Sequence, residues 1–301
     1  MGTVVISVDA ELGWGFHDRE RVPTERVEAA RDGWRRLLAL FATYRTPATW
    51  AVVGHLLLSD CDGRHADHPT PPGWFARERG AWHDRPDLRF GGDLVDDLLD
   101  AAPDHDVGSH TFSHVVASDP RVSRDVLRAD VAAGVEIADD HGIDVDSFVF
   151  PRNAVGHRDL LAEVGVRTYR GPRRLPPPGP RRALAKLGMA ADADRVPLVE
   201  PRVDEHGLVE IPPSLYLFGF EGAPNEMVTT AWKDPMLAAA RNGIDRAARE
   251  DGVFHLWFHP NDVVTDRDAD RVERVLSHLD RRRAETDLTV ETMRDVADRM
   301  A

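Results

Sequence analysis

Short apolar runs alternate with longer amphipathic stretches along most of the chain. The apolar runs have the length of β-strands and are almost continuous in hydrophobic residues, which is typical of parallel strands buried on both faces. Seven runs of this kind are found, at residues 3–9, 48–54, 106–110, 147–150, 166–169, 208–211 and 253–259.

The stretches between these runs carry apolar residues at helical spacing. They lie at residues 25–44, 93–102, 123–141, 236–250 and 267–283. Strands that alternate with helices predict an α/β fold with a parallel sheet, and a closed barrel is the favoured arrangement.

Two segments interrupt the alternation. Residues 59–90 are rich in Asp, His, Pro and Trp, and residues 171–182 read GPRRLPPPGPRR. The second segment is too rich in proline for a helix or a strand, so we predict an extended loop there. No internal repeat or shift in composition marks a second domain. We therefore predict one catalytic barrel over residues 1–301, with insertions at 59–90 and 171–207.

Composition limits the kind of protein. A chain of 301 residues with 42% hydrophobic content can bury a large core. The formal net charge of −14 argues against a nucleic-acid partner. One cysteine allows no internal disulfide. The sequence has no run of about 18 apolar residues, so we expect no stable insertion into a membrane. The first residues resemble a strand rather than a signal peptide, so we expect a cytoplasmic protein. The oligomeric state stays open.

The stretch GSHTFSHVV, residues 108–116, contains His110 and His114. On a helix these two imidazoles would share a face and could bind one metal ion. The preceding strand would place them at the C-terminal end of the barrel, where the active sites of βα barrels lie. A catalytic metal site of this kind needs a third ligand, preferably a carboxylate.

Other strand ends supply the missing groups. Asp9 and Glu11 end the first strand, and side chains two residues apart on a strand point the same way. His259 follows the last apolar run, and Arg152 and Asn153 follow the run FVFP. Carboxylates, imidazoles and an arginine from four strands are the components of a metal-dependent hydrolase.

These motifs resemble the polysaccharide deacetylase family, the NodB-homology group of metal-dependent carbohydrate esterases. The run ATWAVVG is similar to the family's ATFFVVG, and HTFSH matches its H-S/T-x-x-H motif. The resemblance covers the chain from about Gly2 to Asn261. It implies a distorted seven-stranded TIM-type (β/α)7 barrel and hydrolysis of an N-acetyl group on an amino sugar.

The chain departs from the family pattern at two places. Ala10 follows Asp9, where the common motif has two adjacent acids, so the spacing is acid-x-acid with Glu11. Val149 stands where an arginine is expected, which makes Arg152 a candidate substitute. The aspartate that orients the late histidine in the family has no clear counterpart in the sequence.

The resemblance implies a role for each candidate residue. One divalent ion, with zinc favoured, would be held by His110, His114 and a carboxylate. Asp9 would be the base and Glu11 the metal ligand, although the reverse assignment stays open. Arg152 would hold the base ionised by favouring its charged form. His259 would protonate the departing amine. Three further side chains would contact substrate: Trp14, Asn153 and Trp257.

Three functions follow, in order of preference. The first is an N-deacetylase acting on an amino sugar in a glycan or in its lipid- or nucleotide-linked precursor. The second is a hydrolase of another C–N bond, such as a ring amide of the allantoin or cyclic imide kind. The third is a catalytically silent glycan-binding barrel. The arginines of residues 171–182 have two interpretations: they pair with surface carboxylates, or Arg173 and Arg174 contact the phosphates of a diphosphate-linked substrate.

Overall fold

The computed structural model describes residues 2–172, 179–219 and 234–301. Arg173 and Arg174, the candidate phosphate contacts, lie outside the described residues. The seven predicted strands and the five predicted helices are confirmed within a few residues at their ends.

The strands of the described residues, in chain order, are β1 (Gly2–Ala10), β2 (Thr49–Val52), β3 (Asp106–Ser109), β4 (Ser147–Phe148), β5 (Thr168–Arg170), β6 (Arg202–Val203), β7 (Val209–Ile211), β8 (Leu215–Tyr216), β9 (Gly252–Phe258) and β10 (Thr289–Glu291).

The α-helices of the same residues are α1 (Thr24–Thr43), α2 (Ala76–Arg79), α3 (Pro86–Arg89), α4 (Gly92–Leu99), α5 (Arg124–Asp140), α6 (Asp159–Glu163), α7 (Pro180–Ala191), α8 (Pro235–Ala247), α9 (Asp266–Glu285) and α10 (Met293–Met300). None of these helices is long and apolar enough to span a bilayer.

The described strands form one curled sheet in the order β6-β7-β5-β4-β3-β2-β1-β9-β8. All neighbours are parallel except β6 and β7. The last strand, β10, pairs with the first half of β1, on residues Thr3 to Val5. Within the described part of the chain β6 and β8 remain edge strands, so the architecture is a distorted (β/α) barrel.

Alternate residues of β1 face opposite sides of the sheet. Val4, Ile6 and Val8 pack into the large core that includes the apolar face of α1. Val5 faces the barrel interior, where Met293 and Val296 of α10 pack against it in a smaller cluster. The C-terminal helix therefore fills the N-terminal end of the barrel and leaves the opposite end for polar groups.

The barrel interior becomes polar toward the C-terminal ends of the strands. Ser7 follows Val5 on the same face of β1, and its hydroxyl is 2.8 Å from Nε2 of the buried His255. Asp9 is the next residue on the same face. His255 is thus a hydrogen-bonded interior residue, in keeping with the packing role that its place inside a strand predicts.

The proline-rich segment differs from the prediction at its end. Residues 180–182 belong to α7 rather than to an extended loop. Pro180 is the first helical residue, a position where the missing N–H has no helical partner to lose and the fixed φ favours the helix. The strands β6, β8 and β10 were not predicted, because two or three residues are too few to show a periodicity.

Candidate active site

A cleft of about 350 Å³ opens at the C-terminal ends of the barrel strands. Asp9 lies near the end of β1, His110 directly follows β3, and His259 directly follows β9. Because the strands are parallel, these ends meet at one rim. The cleft is lined by Asp9, Glu11, Gly15, Phe16, Arg19, Arg26, His114, Arg152, Asn153, Tyr216, Trp257 and His259.

The segment that carries the two clustered histidines is not a helix, so this part of the prediction is wrong. Thr111 and His114 have φ values of 64° and 61°, in the left-handed region that a β-branched residue rarely adopts. The turn is held by Asp130 of α5, which accepts the hydroxyl of Ser113 at 2.6 Å and its backbone N–H at 3.2 Å. The turn, rather than helical spacing, brings both imidazoles to one point.

Three buried atoms that can bind a metal ion, one carboxylate oxygen and two imidazole nitrogens, converge in the cleft. Glu11 Oε1 lies 3.2 Å from His110 Nε2 and 3.3 Å from His114 Nε2. His110 Nδ1 is 2.7 Å from the carbonyl oxygen of Val149 and can only donate to it, so in a neutral ring Nε2 points its lone pair at the carboxylate. Neither ring nitrogen of His114 has a hydrogen-bond partner among the described residues.

These observations fit a divalent cation. Two imidazole nitrogens and one carboxylate oxygen are the protein ligands of many catalytic zinc sites. A cation between Glu11, His110 and His114 would satisfy both lone pairs that face the carboxylate. Burial alone would raise the pKa of Glu11, but the charge of His259 and the close contacts with the two imidazoles hold it well below its ordinary value.

Asp9 is fixed by an arginine that the sequence did not single out. Arg170, the last residue of β5, is fully buried and donates to Asp9 Oδ1 and Oδ2 at 2.6 Å each. The guanidinium also lies 4.3 Å above the ring of Trp257 and donates to Asn153 at 2.9 Å. This bidentate pair holds the Asp9 carboxylate in one orientation.

Arg152 does not contact Asp9, which corrects the expectation that it would hold this base ionised. It donates instead to Asp18 at 2.6 Å and lines the outer cleft. Arg152 follows Pro151 in a short turn with φ 57°, which directs the chain away from the interior. The buried arginine beside Asp9 comes from β5.

His259 faces both carboxylates. Its Nε2 is 3.7 Å from Asp9 Oδ2 and 3.8 Å from Glu11 Oε1, and its Nδ1 is 2.8 Å from Asp262. Burial would lower the pKa of His259, but the charges of Asp262 and Glu11 and the hydrogen bond that the ring donates to Asp262 raise it to about 9. Asp262 thus orients the late histidine, and the sequence signal for it is a carboxylate three residues further on, in HPND.

The three predicted substrate contacts divide into two groups. Trp257 and Asn153 line the cleft, and Trp257 stacks on Tyr216 with ring centres 4.4 Å apart. Trp14 does not line it: this side chain is almost fully buried, and its indole N–H donates to the carbonyl of Arg89. The turn after β1 directs Trp14 into the core, so its prediction as a substrate contact is corrected.

Comparison with solved structures finds chains of similar fold. A chain from Mycobacterium smegmatis described as a polysaccharide deacetylase shares 17% identity, with a TM-score of 0.59 over 99% of this chain and 89% of that one. A chain from Pseudomonas aeruginosa PAO1 with the same description shares 13% identity, with a TM-score of 0.59 over 98% and 89%.

An allantoinase named Puue matches as well, at 13% identity and a TM-score of 0.60 over 98% of this chain and 89% of that one. No protein-family model matches the sequence, and no curated protein matches it significantly. At these identities the matches establish the fold, which is that of the NodB-type deacetylases, as the sequence motifs predicted.

Proposed function

We propose that this protein is a metal-dependent hydrolase that removes an N-acetyl group from an amino sugar, in a glycan or in its lipid- or nucleotide-linked precursor. One observation carries the proposal: Glu11, His110 and His114 converge on one point of a cleft, with Asp9 and His259 beside it. The deacetylase fold supports the same reaction class.

Glu11 is the better candidate for the metal ligand and Asp9 for the base. Glu11 Oε1 lies within 3.3 Å of both imidazole nitrogens, whereas both oxygens of Asp9 are turned toward Arg170. When bound by His110, His114 and Glu11, a divalent ion would lower the pKa of a water molecule and polarise an amide carbonyl.

The protein side chains move the protons. Asp9 keeps free lone pairs beside its two bonds to Arg170, so it can accept a proton from the attacking water. His259 gives a proton to the departing nitrogen, because an amide nitrogen does not leave as an anion. The raised pKa of His259 supports this acid role, since the ring carries the proton at neutral pH. The products are acetate and the free amine.

The walls of the cleft suit a sugar. Trp257, Tyr216 and Phe16 offer aromatic surface, and Asn153 offers an amide beside them. The other lining residues are mostly charged or polar, so the cleft combines aromatic faces for a sugar ring with hydrogen-bonding groups for its hydroxyls. The volume of about 350 Å³ is at the small end of the range for small-ligand sites, which favours recognition of one sugar residue at the reacting position.

Acetate release tests the proposal. The protein is stripped of metal, reloaded with zinc, and incubated with oligomers of N-acetylglucosamine. We expect activity to depend on zinc and to be lost with the metal in His110→Ala, while His141→Ala, at an exposed position, keeps both. Full metal content in His110→Ala would contradict the ligand assignment, and absence of acetate release would contradict the substrate.

The match to an allantoinase favours a second candidate, hydrolysis of a ring amide. The same base, acid and metal ligands suit that bond. Allantoin and a cyclic imide are therefore assayed with the same zinc-loaded preparation. Turnover of either without acetate release from the sugar would support this candidate. A zinc-loaded protein that binds N-acetylated sugars without any turnover would support a silent glycan-binding barrel.

A further inference from the structure

A second cluster of metal-ligating side chains lies outside the cleft. It consists of His55, in the short turn that follows β2, and Cys61, His65 and Glu78 from the following insertion. One donor atom of each side chain lies within 4.8 Å of the others. None of the four has a role in the proposed reaction.

The tautomer of His55 leaves a lone pair inside this cluster. Its Nδ1 is 3.2 Å from the carbonyl oxygen of Arg89, so this nitrogen carries the proton of the neutral ring. The other nitrogen, Nε2, then points a lone pair toward Glu78 Oε1 at 2.9 Å and His65 Nε2 at 3.3 Å. In this fully buried position, a lone pair that faces a carboxylate oxygen is unfavourable unless a proton or a metal ion lies between them.

One oxygen of Glu78 is also crowded. Within 3.0 Å of Oε1 lie His55 Nε2, Cys61 Sγ at 2.7 Å, and both Nε and Nη2 of Arg89. A carboxylate oxygen has two lone pairs, so it cannot accept four good hydrogen bonds. A network of hydrogen bonds alone therefore does not account for this convergence.

We propose that His55, Cys61, His65 and Glu78 bind one zinc ion at a structural site. Zinc–ligand bonds of about 2.0–2.3 Å in a tetrahedron place neighbouring donor atoms roughly 3.3–3.7 Å apart. The two imidazole nitrogens are 3.3 Å apart, and His55 Nε2 is 3.4 Å from Cys61 Sγ. The contacts of Glu78, at 2.7–2.9 Å, would widen by several tenths of an ångström on coordination.

The donor types select the metal and the role. A thiolate with two imidazoles favours zinc over magnesium or calcium, which prefer oxygen ligands. Four protein ligands leave no open position, which is typical of structural rather than catalytic zinc. Arg89 donates N–H groups to Cys61 Sγ at 3.1 Å and to Glu78, and so supplies the outer hydrogen bonds that such ligands need.

The location of this site indicates that its role is to fix the insertion. The insertion contains little regular structure, since α2 and α3 have four residues each. Yet it contacts the turn of the clustered histidines: Trp74 donates to the carbonyl of Ser113 at 3.0 Å, and His68 Nε2 lies 2.9 Å from Asp130. Zinc would fix the insertion and, through it, the turn that carries His114.

Metal content of the full-length protein tests the proposal. Chelator-treated protein is reloaded with zinc, and bound metal is measured after removal of the excess. Cys61→Ser should lose one equivalent of metal relative to wild type. His83→Ala, an exposed histidine in the same insertion, is the matched control and should keep every equivalent.

Cobalt substitution gives an independent readout. Cys61 is the only cysteine of the sequence, so a thiolate-to-cobalt charge-transfer band can come from this site alone. Wild type and His83→Ala should show the band, and Cys61→Ser should not. His65→Gln is the second variant, and it should weaken the band even if Cys61→Ser does not fold.

The outcomes separate this site from the proposed active site. His110→Ala should lose one equivalent and keep the thiolate band, because its metal lies in the cleft. If wild type binds a single equivalent of metal and shows the thiolate-to-cobalt band, the structural site is supported and the proposed catalytic metal is contradicted. If wild-type cobalt protein has no band and Cys61→Ser keeps full metal content, the structural site is overturned.

Discussion

The charge of Asp262 should set the protonation state of His259. Asp262 is buried and accepts the ring Nδ1–H of His259 at 2.8 Å, its backbone N–H at 2.9 Å and the hydroxyl of Tyr216 at 2.8 Å. The variant Asp262→Asn keeps the shape of this side chain and removes its charge. Among the groups that raise the pKa of His259, the charge of Asp262 is the largest.

The structure gives the size of the effect. The pKa of His259 is raised from 6.5 to about 9, and a difference of about 2.5 units corresponds to roughly 3 kcal/mol. A divalent ion at Glu11 would offset the contribution of Glu11 and leave that of Asp262. In Asp262→Asn we therefore expect the pKa of His259 to fall toward its ordinary value of 6.5. At that limit only about a tenth of the rings would be protonated at pH 7.5, and kcat/KM should fall by up to about tenfold.

Protonation of His259 should also make the stability of the folded protein depend on pH. Because the folded-state pKa of His259 lies above its ordinary value, its contribution to stability is full below pH 6.5 and is lost as the pH rises through about 9. Asp262→Asn should remove this alkaline loss. The difference in unfolding free energy between wild type and variant should thus be larger at pH 6 than at pH 10.

Imidazole NMR of the zinc-loaded protein measures the pKa directly, with His259→Gln to assign the resonance. The alkaline limb of the kcat/KM profile for acetate release should move with it. Asp266→Asn removes an acid whose side chain is 96% exposed, and serves as the control. An unchanged pKa of His259 in Asp262→Asn, with the fold intact by circular dichroism, would refute the reasoning.

Three further predictions concern other parts of the molecule. Arg170→Lys keeps the charge beside Asp9 but loses the bidentate geometry, so kcat should fall roughly 10- to 100-fold with bound metal unchanged. Gly15→Ala would place a Cβ 1.7 Å from Glu11 Oε2 and displace this carboxylate, so zinc affinity by competition with a chelator should fall roughly 10-fold or more. Burial lowers the pKa of His105 to about 4, so the unfolded chain binds more protons between pH 6.5 and 4 and stability falls as the pH decreases there. Thermal unfolding of His105→Asn should show an acid loss smaller by up to about 3 kcal/mol.

The strands and long helices were predictable because their hydrophobic period extends over many residues. The main elements of the barrel follow from this pattern, and so does the rim where Asp9, Glu11, His110, His114 and His259 meet. Strand ends of a parallel sheet share one edge whatever the loops between them do. This is why the sequence could bring these five side chains together although their loops were unknown.

The partners of these side chains were harder to predict. Arg170 reaches Asp9 across 161 positions of sequence, and the contact depends on β5 extending one residue further than the apolar run suggests. Trp14 was misplaced because the turn after β1 reverses the direction of its side chain. Such contacts depend on register and on turn geometry, which hydrophobic periodicity does not determine.

The metal-ligating cluster in the insertion was even harder to predict from the sequence. His55, Cys61, His65 and Glu78 are spaced as H-x5-C-x3-H-x12-E, which matches no common zinc pattern. They converge because the turn after β2 and the short helix α2 fold back on one another, with His65 at φ 45°. Ordering a segment with so little regular structure costs conformational entropy, and burial of Trp74, Phe75, Trp82 and Leu88 offsets part of that cost. A metal bound only by the folded form would add to this stabilisation, so removal of zinc should loosen this insertion before the barrel unfolds.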